Sequence, residues 1–196
     1  MEGFNNDLQT QIERLGKIVR SNRILDDILG KADTLGLENY YIGAGCVAQT
    51  VWNYQMNYEP ANGISDIDFV YYDNSDLSPE AEKNIIERIE REFIHCQIKL
   101  DIKNQARVHL WYRDHFGYDI KPHKSIEDAI NTWPTTATAI GVKREDGIFK
   151  IYAPFGLNDL FGMIVRANKT QITEEIYMQK VNKWITKWPA LTIIPW

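Results

Sequence analysis

Cysteine is scarce in this chain: Cys46 and Cys96 are the only two among 196 residues. Neither sits in a Cys-x-x-Cys pair or beside histidines at ligand spacing. The composition therefore argues against a disulfide framework or a structural zinc, and it fits a reducing compartment. Long apolar runs are also missing, since none approaches the ~20 residues that a membrane-spanning helix needs. The opening Met1-Glu2-Gly3-Phe4-Asn5-Asn6-Asp7 is polar and acidic, unlike a signal peptide. Positive charge is not in excess either. Twenty-two Lys and Arg against 27 Asp and Glu leave a net charge of −5, which argues against a large non-specific nucleic-acid surface. No internal repeat, low-complexity tract or linker interrupts the chain. These absences leave an expectation of a soluble cytoplasmic protein forming one domain over residues 1–196, with an ordinary globular composition of 44% hydrophobic and 25% charged residues.

What stands out is a pair of acids. The run Gly63-Ile64-Ser65-Asp66-Ile67-Asp68-Phe69-Val70-Tyr71-Tyr72 reads as a strand, with β-branched and aromatic residues following a glycine-containing turn. Side chains alternate along a strand, so Ile67, Phe69 and Tyr71 share the core face while Asp66 and Asp68 stand together on the other. Two carboxylates in contact repel each other. A hard divalent cation is the natural compensating charge, whereas two solvated aspartates on an exposed sheet face are the plainer alternative.

The surrounding periodicity gives a frame. Leu8, Ile12, Leu15 and Val19, then Ile24, Leu25, Ile28 and Leu29, recur at helical spacing. Tyr40-Tyr41-Ile42 reads as a short buried strand running into Gly43-Ala44-Gly45. A helix follows, with Val47, Val51 and Tyr54 on one face. Ser78-Pro79-Glu80 carries a capping residue, a proline at the first position and an acid in the first turn. It opens a helix whose inner face is Ala81, Ile85, Ile89 and Phe93. In Ile98-Lys99-Leu100-Asp101-Ile102-Lys103 the apolar residues alternate, so Asp101 faces away from the core. A helix is expected over Asn104 to Tyr112, and Ser125-Ile126-Glu127-Asp128 begins a short one that stops at Trp133-Pro134. Asp146-Gly147 joins two strands, Thr138 to Arg144 and Ile148 to Ala153, as a hairpin. Two helices close the chain, the last carrying the stripe Tyr177, Val181, Trp184 and Trp188.

Three elements then line up. Gly43-Ala44-Gly45 lies where a strand turns into a helix, where small residues admit a ligand and free N–H groups attract phosphate. Asp66 and Asp68 follow on the next strand, and Asp101 on a further one. If those strands are neighbours, three carboxylates converge beside a phosphate cradle, the equipment of two-metal phosphoryl transfer.

This order of Gly-x-Gly, Asp-x-Asp and a third carboxylate resembles the polymerase β-type nucleotidyltransferase superfamily, and especially the head domain of CCA-adding enzymes. The whole chain is similar to a bacterial family of uncharacterised nucleotidyltransferase-like proteins. The matching stretches are Ile42-Gly43-Ala44-Gly45 with Thr50-Val51-Trp52-Asn53, Ser65-Asp66-Ile67-Asp68 with Val70-Tyr71-Tyr72-Asp73, and Lys103-Asn104-Gln105-Ala106-Arg107-Val108-His109-Leu110-Trp111. Trp133-Pro134-Thr135-Thr136-Ala137-Thr138 and Ala153-Pro154-Phe155-Gly156-Leu157-Asn158-Asp159-Leu160-Phe161 carry it toward the C-terminus. Many superfamily members have Gly-Gly or Gly-Ser where this chain has Gly43-Ala44-Gly45. The resemblance implies an α+β fold: a mixed β-sheet with helices packed on one side and flanking N- and C-terminal helices. It implies metal-dependent transfer of a nucleotidyl group from an NTP to an unknown acceptor (a small molecule, a protein or an RNA end). Asp66, Asp68 and Asp101 would be the catalytic and Mg²⁺- or Mn²⁺-binding residues. Gly43, Ala44, Gly45, Ser65 and Arg107 would contact the nucleotide.

Two other readings fit some of the same residues. Gly43-x-Gly45-x-x-Ala48 also matches a dinucleotide fingerprint, but the alternating strands, the hairpin and the paired acids do not suit a doubly wound parallel sheet. A nucleotide-sensing or interaction module could keep the fold without turnover. Lys103, next to the Asp101 strand, reads as a solvated residue that could also touch a phosphate. Lys180 and Lys183 read as a polar helix face, and His95, His109, His115 and His123 lack ligand spacing. The tryptophans read as core, with Trp52 or Trp111 also able to stack on a base. Cys46, at a helix start, reads as a packing residue.

Overall fold

In the computed structural model, which describes residues 1–196, five strands form a sheet in the order β3-β2-β1-β4-β5. These are β1 (Tyr40–Gly43), β2 (Asp66–Tyr71), β3 (Lys99–Asn104), β4 (Gly141–Glu145) and β5 (Ile148–Tyr152). Pairing is antiparallel everywhere except between β2 and β3, which run parallel with Asp68 opposite Asp101. The parallel pair needs a crossover. Helix α4 (Pro79–Glu92) supplies it, and Ser78 caps its start by accepting from the Ala81 N–H. At the β4–β5 hairpin, Asp146 and Gly147 have φ of 53° and 74°, the two positive angles that a tight primed turn requires.

One face of the sheet carries the main core. Ile42, Ile67, Phe69 and Tyr71 pack there with residues of α1 (Leu8–Ser21), α2 (Arg23–Ala32), α3 (Gly45–Gln55) and α4. Trp52, Tyr177, Trp184 and Trp188 join the same core, the last three from and just beyond the closing helix α8 (Glu174–Ile185). Trp52 sits edge-on to both Trp184 and Trp188, with ring centroids 5.6 Å apart in each pair. Between α4 and α8 lie α5 (Val108–Phe116), α6 (Ile126–Ile130), the four-residue α7 (Asn158–Phe161) and two short parallel strands, β6 (Ile164–Val165) and β7 (Thr192–Ile193).

Several details differ from the periodicity reading. Leu8 and Tyr54 are exposed, because each lies at the end of its helix, where the apolar stripe has run past the layer it packs on. The helix expected from Asn104 begins at Val108 and continues to Phe116. Asn104 is instead the last residue of β3, and its side chain explains why. The Asn104 Nδ2 donates to the Asp73 carbonyl at 2.7 Å, and its Oδ1 accepts from the Asp73 and Ala106 N–H groups at 3.0 and 3.1 Å. The amide thus ties the ends of β2 and β3 together and turns the chain. The second face of the sheet is also partly covered, since Tyr41 and Val70 pack against Ile126 and Ile130 of α6. The rest of that face lines a cleft.

Asn104 is 2% exposed, so Asn104→Ala would leave buried backbone groups at both strand ends without partners. The expected loss is about 2–3 kcal/mol of stability, read as a lower midpoint in urea unfolding at unchanged slope.

Candidate active site

Strand phase places the carboxylates. Asp66 and Asp68 alternate with the buried Ile67 and Phe69. The parallel register sets Asp101 beside Asp68 on the same face. One carboxylate oxygen from each of Asp66, Asp68 and Asp101 lies within 4.8 Å of the other two. Ser65 Oγ donates to Asp66 Oδ1 at 2.6 Å, and the Lys103 ammonium pairs with Asp101. Asp66 is exposed, while Asp68 and Asp101 are half-buried. Burial, then the negative charges of Asp101 and Asp66, push the Asp68 carboxyl up to about 7, against the opposing pull of Lys103 and Lys180. A set of three convergent, partly desolvated carboxylates is a hard oxygen donor set, and it suits Mg²⁺ or Mn²⁺.

The triad lies in a cleft of about 510 Å³ on the open face of the sheet. Asp66, Asp68, Val70, Asp101 and Lys103 line its sheet side, and Ala44, Gly45, Ser65 and Gly63 border it near the start of α3. Lys180, Lys183 and Lys187 come from α8 and the residues after it. Ala44 holds φ 55° and ψ −128°, a backbone conformation that costs a residue with a Cβ on the order of 1–3 kcal/mol. Its N–H donates to the Ile140 carbonyl at 2.9 Å, which fixes the strand-to-helix turn.

Other expected residues stand elsewhere. Arg107 does not line the cleft. Its guanidinium pairs with Glu82, and its Nε donates to the Leu77 carbonyl at 2.9 Å. It therefore braces α4 against the end of β3. Gly43 is likewise not a lining residue. A Cβ there would collide with the Ile140 carbonyl and come within 3.0 Å of the Trp133 ring, so its missing side chain makes room for the neighbouring strand and that indole. Trp52 is 0% exposed and has no face to offer a base. Cys46 is buried, with Sγ 3.0 Å from the Gly43 carbonyl, and burial pushes its thiol up. It is a packing residue.

Lys180 is the residue that periodicity underrated. Burial pushes its ammonium pKa down, while Asp68 and Asp66 push it back up. It is thus a half-buried cation facing the carboxylates. A signal was present in the chain: Lys180, Lys183 and Lys187 recur at helical spacing along one side of the apolar stripe, which sets them on a common face.

A nucleotidyltransferase family model matches residues 30–193, and the chain belongs to that family. A solved NMR structure described as revealing a CCA-adding enzyme head domain is 25% identical to this chain. It superposes with a TM-score of 0.76, covering 94% of this chain and 96% of that one. Among curated proteins, none matches. The mixed α+β architecture expected from the sequence is therefore the fold of the family.

The Asp68 carboxyl gives a pH-dependent prediction. Its folded pKa, about 7, lies above its ordinary value of 3.8. The folded state therefore holds a proton that the unfolded state has already released. Stability of the metal-free protein should fall as pH rises from about 4 to about 7 and then level off, a contribution on the order of 2 kcal/mol after allowance for solvent screening. Asp68→Asn should flatten that slope and raise the melting temperature at pH 8, as thermal melts across pH would show. An unchanged slope would mean that Asp66, Asp101, Lys103 and Lys180 already balance the charge.

Proposed function

We propose that the protein transfers a nucleotidyl group from an NTP to the hydroxyl of an acceptor, with Mg²⁺ or Mn²⁺ as cofactor. The observation that carries this reading is the convergence of Asp66, Asp68 and Asp101 within 4.8 Å beside the start of α3 and the lysines of α8. Asp66 and Asp68 would hold both ions, and Asp101 the one on the acceptor side. Bound there, the metal lowers the pKa of the attacking hydroxyl and neutralises charge on the triphosphate.

The protein's own groups account for the rest. Ala44 and Gly45 border the phosphate end, where the N–H groups at the start of α3 favour an anion, and Ser65 steadies Asp66. In the reaction the acceptor oxygen bonds to the α-phosphorus, the bond from that phosphorus to the bridging oxygen breaks, and pyrophosphate leaves with the electron pair. The hydroxyl proton goes to the Asp101 carboxylate, which lines the cleft beside Lys103. Such a site works by positioning and fixed charge. No helix is long and apolar enough to cross a membrane, and the acceptor class stays broad: a small molecule, a protein or an RNA end.

Pyrophosphate release from each of the four NTPs with Mg²⁺ or Mn²⁺, against a panel of acceptors, tests the reading. Asp66→Asn and Asp101→Asn should each lower the rate by at least a hundredfold. Asp101→Asn should retain affinity for a non-hydrolysable NTP far better than Asp66→Asn does. Tight nucleotide binding with no turnover for any acceptor would favour the sensing module, and no binding at all would remove both readings.

A further inference from the structure

The cleft has two chemically different ends with the carboxylates between them. Lys180, Lys183 and Lys187, with Ala44 and Gly45, border one end. The other is bordered by Val70, Gln105, Trp111, Tyr112 and Phe116, and Lys103, opposite Val70 in the register, is already paired with Asp101. Both ends follow from the chain's path. Helix α8 runs along the cleft with its lysines late in the helix, while Gln171 just before it accepts through its carbonyl from Tyr118, whose ring packs on Tyr112 of α5.

Two observations at this aromatic end point to a ligand. Trp111 is only half-buried there, unlike Trp52, which the core encloses. Gln105 is 5% exposed and lines the cleft, and its side-chain amide makes no hydrogen bond within the protein. An amide that borders a cleft without a protein partner is available to the polar edge of a ligand. A glutamine amide presents one donor and one acceptor side by side, the pattern that matches the edge of a base. Length fits as well. From Ser65 to Val70 the strand covers roughly 17 Å at ~3.3 Å per residue, room for one nucleotide laid along it.

We propose that this aromatic end is the nucleobase subsite. Trp111 supplies the stacking face and Gln105 the edge contact, and the triphosphate points toward Lys180. The proposal rests on the nucleotidyltransferase reading, and it adds the direction in which the NTP lies and the residues that select its base.

Calorimetric titration with Mn²⁺ and either α,β-methylene-ATP or inorganic tripolyphosphate separates the ends. Trp111→Ala should bind the nucleotide analogue about tenfold more weakly, as loss of one stacking partner does, with tripolyphosphate affinity unchanged within about twofold. Trp111→Phe should recover most of the loss, which excludes a folding defect. Lys180→Gln should weaken both ligands alike. Gln105→Leu should change the affinity ranking among the analogues of the four bases while leaving tripolyphosphate untouched. The proposal is overturned if wild-type protein holds tripolyphosphate as tightly as the nucleotide, or if Trp111→Ala affects both ligands equally or neither. Wild-type protein that binds neither ligand would overturn the nucleotidyltransferase reading along with it.

Discussion

Everything at the site depends on one register. Strands β2 and β3 pair in parallel with Asp68 opposite Asp101, and Asp66 lies two residues before Asp68 on the same face. Three negative charges are thereby held together by backbone hydrogen bonds that have no interest in charge. A slip of one residue in β3 would turn Asp101 into the core and Ile102 out of it. The burial of Ile67, Phe69 and Ile102 therefore fixes the acidic cluster as firmly as it fixes the sheet. The repulsion is tolerated because Lys103 and Lys180 stand close by, and because Asp68 takes up a proton far more readily than an ordinary carboxyl.

The family motifs divide into those that touch the cleft and those that build it. In the stretch from Lys103 to Trp111, Lys103, Gln105, Val108 and Trp111 line the cleft. Asn104 and Arg107, between them, face the scaffold. Asn104 ties Asp73 to the end of β3, and Arg107 with Glu82 pins α4. Asn53 belongs to the second group too. Its amide donates to the carbonyls of Pro60 and Asn62, and its Oδ1 accepts from the Trp188 indole at 2.7 Å. That contact holds the loop leading into β2 against the far end of the chain, and so aims Ser65 and Asp66.

Much of this was legible in the sequence where a local rule applied. Alternation in Asp66–Tyr71 and in Ile98–Lys103 placed all three acids, Ser78 and Ser125 marked the starts of α4 and α6, and Asp146-Gly147 marked the hairpin. What stayed hidden were partnerships distant in the chain. Arg107 next to an acidic strand has the composition of a phosphate contact, and only the packing of α4 gives it to Glu82. Gly43 reads as part of a phosphate cradle, whereas its bare Cα accommodates Trp133, ninety residues later. Lys180 looked like a solvated face because nothing local shows that α8 lies across the cleft. The unassigned cover on the second face has the same origin, since α6 is too short to announce which side of the sheet it joins.

The central claim is that the triad is a metal site rather than a balanced cluster of surface charges. Diffraction at the manganese edge from crystals grown with Mn²⁺ and α,β-methylene-ATP tests it most directly. The account predicts anomalous density at Asp66, Asp68 and Asp101. Nucleotide bound in the cleft without anomalous density at the three aspartates would contradict it.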